Sequence, residues 1–233
     1  MASPLTEIEF RARLEALLAR IDEAAKRSGR SLKDITLVAV TKGAEADLVR
    51  HAQAAGLFIF GENRVQEAEE KIPLLQDAGI QWHLVGHLQS NKVKTAVSSF
   101  QMIQSVDTVR LAEKISRESI AANKVSPALL EVNISGETQK YGFKPEEVYS
   151  AIDQIGRLPG IRVQGLMGIA PNLAEDRVKR EAFKKLKGLF SACKMLKHAN
   201  IQMQYLSMGM SDDFVTAIEE GSTMLRIGRA LFK

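Results

Sequence analysis

Eight times along this chain a run of apolar, largely β-branched residues gives way to a loop and then to a stretch with helical periodicity. The runs are ITLVAVTK (35–42), LFIFGEN (57–63), WHLVGH (82–87), MIQSVD (102–107), ALLEVNI (128–134), VQGLMGIA (163–170), YLSMGM (205–210) and TMLRIGRALF (223–232). Strict alternation of strand and helix demands right-handed crossovers and a parallel sheet covered on both faces, which is why the runs are continuously apolar. Eight such units close into a (β/α)8 TIM barrel of the α/β class. An open doubly wound sheet is the alternative; its site would lie at a strand-order switch and not around one rim.

Helical stretches are expected at 44–56, 64–79, 108–123, 144–160 and 174–200, with Gly56, Gly79 and Gly160 past C-termini and Pro145 just inside a start. The amphipathic segment 6–28 precedes the first strand and is read as an extra N-terminal helix, covering the barrel bottom. No Pro/Gly/Ser-rich linker separates a second core, so residues 1–233 read as one domain, with a monomer expected. The lone Cys193 leaves no disulfide and no thiolate pair for zinc, which suits a reducing compartment such as the cytoplasm. Charges fall every few residues in the first thirty, where a signal peptide needs an apolar core, and no run approaches the roughly 18 residues of a membrane span. The net charge of +4 favours anions, and a small phosphorylated ligand satisfies it as well as nucleic acid does. The basic stretch 179–198 lacks interleaved aromatics and reads as a solvated helix face, so no nucleic acid is expected.

In a barrel the reactive groups belong where strands run into their following loops. Lys42 closes the first run, and a partly desolvated lysine there would supply the neutral amine of Schiff-base chemistry. Taken alone, the position reads more simply as a strand-end lysine reaching solvent. After the seventh run, Gly209 permits close backbone approach and Ser211 reads as the N-cap of the next helix, a place where barrels commonly seat phosphate. In the eighth run Met224, Arg226 and Gly228 share a face. A guanidinium there needs an acceptor, either a ligand atom or a barrel carboxylate such as Glu131 or Glu62. Gly228 and Arg229 offer backbone N–H groups beside the strand-seven loop. Asn63 projects a donor and an acceptor to the rim, or caps the helix that follows. His83 and His87 lie on one strand about 13 Å apart, too far for one metal ion. His87 is within reach of a rim ligand, while His51 and His198 read as helix-surface residues and Trp82 as core.

The blocks AVTK (39–42), FGENRVQE (60–67), WHLVGHLQSNK (82–92), EVNISGETQKYGF (131–143), GLMGIA (165–170) and LSMGMSDDFVTAIEEGSTMLRIGRALF (206–232) together closely resemble the pyridoxal phosphate homeostasis protein family. The resemblance runs in order from the first strand to the last. It implies a barrel like the N-terminal domain of alanine racemase, binding pyridoxal 5′-phosphate (PLP) through a Schiff base on Lys42. It puts phosphate contacts at Ser207, Gly209, Met210, Ser211, Gly228 and Arg229, sets Arg226 opposite the pyridine nitrogen, and lines the cofactor with Asn63 and Met167. An arginine at that nitrogen discourages carbanion chemistry. Racemases take a second acid/base tyrosine from a further β-domain for which these residues leave no room; Tyr141 is the one tyrosine read near the rim, with Tyr149 on a helix and Tyr205 beginning a strand at the far end. The expected role is therefore a largely non-catalytic carrier that buffers PLP or delivers it to apo-enzymes. A weak PLP-dependent racemase is the alternative, and a sugar-phosphate enzyme using Lys42 without PLP is a third reading.

Overall fold

The computed structural model describes residues 5–75, 79–172 and 174–233. Eight parallel strands, β1 (Thr36–Val40), β2 (Ile59–Glu62), β3 (Gln81–Leu84), β4 (Met102–Val106), β5 (Ser126–Val132), β6 (Ile161–Gly168), β7 (Ile201–Ser207) and β8 (Met224–Ile227), close into a barrel in chain order. The seam is β8 against β1, with Thr36 to Ala39 beside Met224 to Ile227. Helices α1 (Glu7–Arg27), α2 (Ala46–Ala54), α3 (Val65–Lys71), α4 (Val93–Ser99), α5 (Val109–Ala121), α6 (Val148–Ile155), α7 (Asp176–Cys193), α8 (Phe214–Glu219) and α9 (Arg229–Phe232) surround it.

Alternation along the strands divides the apolar residues between two cores. Outward side chains such as Ala39, Phe60, Leu84, Ile103, Leu130, Leu206 and Leu225 pack against the helices. Inward ones, Val38, Val85, Met102, Leu129, Met167 and Met224, fill the lumen as a separate cluster. Gly61 also faces inward: a Cβ there would stand 3.1 to 3.3 Å from methyls of Val38, Val40 and Val85. The lumen is thus packed along its middle, and polar side chains are confined to specific levels.

The barrel and its extra helix follow the expected pattern, with four local differences. The seventh strand begins at Ile201, so Tyr205 lies well inside it. The eighth ends at Ile227, and Arg229–Phe232 turns into one helical turn, because Gly228 breaks the ladder and Phe232 reaches Phe10 with ring centroids 5.5 Å apart. α7 stops at Cys193, leaving His198 in a loop beside Asp153 at 3.6 Å. α6 ends at Ile155, so Gly160 is no cap; a Cβ there would meet the Ser116 carbonyl oxygen at 2.1 Å. Residues 76–78 of the helical stretch expected at 64–79 lie outside the described residues.

α1 starts at a capping box, Thr6 Oγ1 accepting from Glu9 N at 3.3 Å while Thr6 N donates to Glu9 Oε2 at 2.8 Å. It packs on α2, α8 and α9 and buries Phe10, Leu14, Leu17 and Ile21. Since α9 is a single turn, α1 occupies the slot in the outer ring that a full helix after β8 would take. It does not cover the barrel bottom.

Candidate functional site at the barrel rim

Lys42 follows β1 by two residues, in a tight turn that Gly43 closes with φ of +68°. That turn is pinned by Thr41: its N–H donates to Gly61 O at 2.9 Å, its carbonyl accepts from Ala44 N at 2.9 Å and from Lys71 Nζ at 2.8 Å, and its hydroxyl donates to Glu62. Lys71 also pairs with the fully buried Glu62. Lys42 itself is exposed and not half-buried as its apolar run suggested. Its backbone is pinned, and among the described residues its amine takes no hydrogen bond.

Beside β1, across the seam, β8 and its neighbour β7 end in adjacent loops. Gly209 has φ of +99°, and a Cβ there would lie 2.7 Å from Ala217 Cβ, so glycine is required twice over. Ser211 does not cap α8, whose N-cap is Asp213. Its hydroxyl accepts from Ala230 N at 3.2 Å and ties the β7 loop to α9, while Asp213 Oδ1 accepts from the half-exposed Met210's N–H at 2.6 Å. Arg229 is exposed and paired with Asp212. Among the described residues, the backbone N–H groups of Gly209, Ser211, Gly228 and Arg229 take no hydrogen bond. Four donors without a partner thus lie on two neighbouring loops, the kind of backbone arrangement that suits an anion.

Arg226 points into the lumen and is buried. Its Nη1 donates to Ser207 Oγ at 2.7 Å and its Nη2 to the Gly168 carbonyl at 3.0 Å. Neither Glu131 nor Glu62 forms an ion pair with it among the described residues; Glu62 belongs to Lys71, and Glu131 acts on Arg226 only through its field. Burial pushes the guanidinium down to about 10, against the opposing charges of Glu131 and Asp213, so it remains a cation at neutral pH. Met167 is fully buried in the lumen, in register with Ser207 on one side and Glu131 on the other. Asn63 is half-buried after β2; it is not the cap of α3, since Arg64 holds that position, and its side chain makes no hydrogen bond among the described residues.

Sequence reasoning missed two groupings. His87 Nδ1 lies 3.0 Å from Asp107 Oδ2, and Tyr141 stacks on the His87 ring at 3.6 Å with an 11° interplanar angle. Glu131 is pushed up to about 7, first by burial, then by Asp107, with Arg226 opposing. The second grouping continues from Ser207, whose hydroxyl donates to Gln104 Oε1 at 2.7 Å, and Gln104 Nε2 meets His83 Nδ1 at 3.0 Å. No local spacing signals these contacts: His87–Asp107 and Gln104–His83 come from the pairing of β3 with β4, and Gln104–Ser207 from closure of the barrel.

Residues 12–233 match the family described as alanine racemase, N-terminal domain. A pyridoxal phosphate homeostasis protein of Aquifex aeolicus is 39% identical over 220 residues, spanning 94% of this chain and 96% of its own length. One from Pseudomonas aeruginosa is 42% identical over 214 residues, 92% and 90% of the two chains. The structure of PipY from Synechococcus elongatus with PLP bound superposes with a TM-score of 0.83 at 33% identity, covering 96% of this chain and all of that one. The barrel, the paired β7 and β8 loops and these matches over nearly the whole length agree: the chain belongs to the pyridoxal phosphate homeostasis protein family.

Proposed function

We propose that the rim binds pyridoxal 5′-phosphate and that the protein serves PLP homeostasis in the cytoplasm, buffering the cofactor or delivering it to apo-enzymes with little or no catalysis. The observation that carries this reading is the set of unpaired N–H groups at Gly209, Ser211, Gly228 and Arg229 beside the buried cation Arg226. Backbone donors in such a nest suit a phosphate, with Ser211 Oγ adding a polar contact; Ser207 and Met210 belong to the same two loops. Lys42, just beyond the end of β1 and so next to β8, supplies the primary amine that an aldehyde condenses with. Asn63 and Met167 line the space between.

When bound, PLP supplies an aldehyde for imine formation and a pyridine ring that acts as an electron sink to the degree that its nitrogen is protonated. Arg226 bears on that degree. A guanidinium only donates, and this one is still cationic at neutral pH, so a ring nitrogen facing it stays unprotonated. The site is therefore built to hold more than to transform. Support also comes from the relatives' names and from the PLP in PipY.

Borohydride reduction of protein incubated with PLP, followed by peptide mapping, tests the reading. The expected adduct lies on the peptide containing Lys42 and is lost in Lys42→Ala. Protein that stays colourless with PLP would overturn it. One observation favours the alternative of a weak racemase: Tyr141 does sit at the rim, on His87. Solvent-deuterium wash-in at the Cα of alanine at catalytic rates, lost in Tyr141→Phe, would establish that reading over carriage.

A further inference from the structure

The opposite, N-terminal mouth of the barrel holds a cavity of about 630 Å³, whose walls include Gln81 and Met102 from the starts of β3 and β4, Gln164 and Tyr205 from within β6 and β7, and Lys124 from the loop before β5. At its inner end is His83, which is 3% exposed. The hydrogen bonds above it determine where its proton is. Arg226 Nη1 donates to Ser207 Oγ, so the Ser207 hydroxyl hydrogen is free to go to Gln104 Oε1. Gln104 thereby presents its amide N–H to His83, whose Nδ1 must accept. The imidazole proton is then on Nε2, and among the described residues Nε2–H has no partner. Burial lowers the pKa of this ring to about 4, keeping it neutral. A donor that opens onto a cavity and has no acceptor within the protein is a group that a ligand satisfies.

We propose that this cavity is a second ligand site, for a small ring-sized monocarboxylate with a hydrogen-bond acceptor at its other end. The acceptor meets His83 Nε2–H, the carboxylate meets the Lys124 ammonium, and Met102 and neighbouring apolar side chains take the ring. Lys124 is half-buried and uses one of its three hydrogens on the Val97 carbonyl, so it retains donors for an anion. Occupancy is transmitted to the far rim through His83, Gln104, Ser207 and Arg226, a chain in which every donor and acceptor is already assigned. That a ligand below alters a cofactor above rests on the proposed PLP reading; the binding site and the relay do not.

The test uses the full-length protein without PLP and 4-cyanobenzoate as the probe, read by 15N signals of His83 Nε2 and the Arg226 guanidinium and by the nitrile stretch. The expected result is a saturable shift of both side chains at millimolar probe, with a nitrile band moved to higher frequency by the hydrogen bond. 4-Methylbenzoate, which lacks the acceptor, and 4-cyanobenzamide, which lacks the charge, should each bind at least tenfold more weakly. Lys124→Met should weaken the probe about tenfold, and this wall variant leaves the buried relay intact. Gln104→Leu should keep the His83 shift and abolish that of Arg226. No His83 shift at 10 mM probe, or equal binding of all three compounds, overturns the site. A His83 shift with an unmoved Arg226 in the unaltered protein overturns the relay. Since neither readout involves PLP, failure here is distinct from failure of the cofactor reading, which the borohydride experiment decides.

Discussion

Glu131 and His83 are buried titratable groups of one lumen whose proton affinities are displaced in opposite senses. For Glu131 burial and Asp107 raise the pKa from 4.5 to about 7. Between those values the folded chain keeps a proton that the unfolded chain has lost, so its stabilising contribution is complete below about pH 4.5 and is lost as pH rises through about 7. For His83 burial lowers the pKa from 6.5 to about 4; its contribution is complete above about pH 6.5 and is lost as pH falls through about 4. The two slopes oppose each other from about pH 4.5 to 6.5, each on the order of 3 kcal/mol in full. Glu131→Gln should therefore leave the His83 slope uncovered, with the denaturant midpoint rising steadily from pH 4.5 to 6.5. A profile parallel to that of the unaltered protein would mean that Glu131 titrates normally. At the rim, Ser211→Ala should weaken PLP binding by about 1 kcal/mol and also loosen α9, whose Ala230 N–H loses its acceptor, so affinity and thermal stability fall together. Lys42, Gly209 and Arg226 were legible in the sequence because a charge or a glycine interrupts an apolar run at a strand end. His83 and Gln104 were not: their own contact depends on the β3–β4 register, which no run reveals, and Gln104 meets Ser207, 103 positions away, only through barrel closure. The exposure of Lys42 was hidden for a related reason, since β1 ends two residues earlier than its apolar run.

At the level of elements, β6 depends on one glycine. Gly165 follows a register shift against β7 and has φ of +154°, and a Cβ there would stand 1.8 Å from the Tyr205 carbonyl oxygen. Gly165→Ala forces the β6–β7 ladder apart, and a loss of about 3 kcal/mol or more is expected, measured by chemical denaturation. α1 gives the second case. Because it completes the outer ring, Phe10→Ala should destabilise the whole fold by about 3–5 kcal/mol, with both Phe232 and α9 losing their support. Loss of α1 helicity with an unchanged barrel transition would instead make it an appendage. Strand number and order were readable because continuous β-branched runs recur between helical stretches. Two strand ends were not. RALF after Gly228 is a short apolar run that periodicity alone does not assign to strand or helix, and its contact with Phe10 decides for helix. At the start of β7, as at the start of β6, buried Ile201 and Met203 alternate with exposed Gln202 and Gln204, because this end faces solvent on one side.

For the molecule as a whole, closure of β8 onto β1 leaves no sheet edge, and the helix-facing core runs around the entire barrel. A ring of this kind has no strand that detaches without breaking two ladders, so unfolding should be a single transition. The only tryptophan, Trp82, is buried at β3 against Phe60, far around the ring from the β7 and β8 loops, and reports on barrel packing. PLP at a concentration 100 times its dissociation constant stabilises the folded state by about 2.7 kcal/mol, which for a chain of this size raises Tm by about 5–10 °C. Because the rim loops belong to β7 and β8 while Trp82 belongs to β3, far-UV circular dichroism and Trp82 fluorescence should give the same midpoint before and after PLP, shifted together. Lys42→Ala should retain a smaller shift from the phosphate nest alone, since the amine no longer contributes. A PLP-dependent shift in one probe without the other would show that the rim unfolds separately from the rest of the ring, and would break the argument that one closed barrel both forms the site and holds it in place.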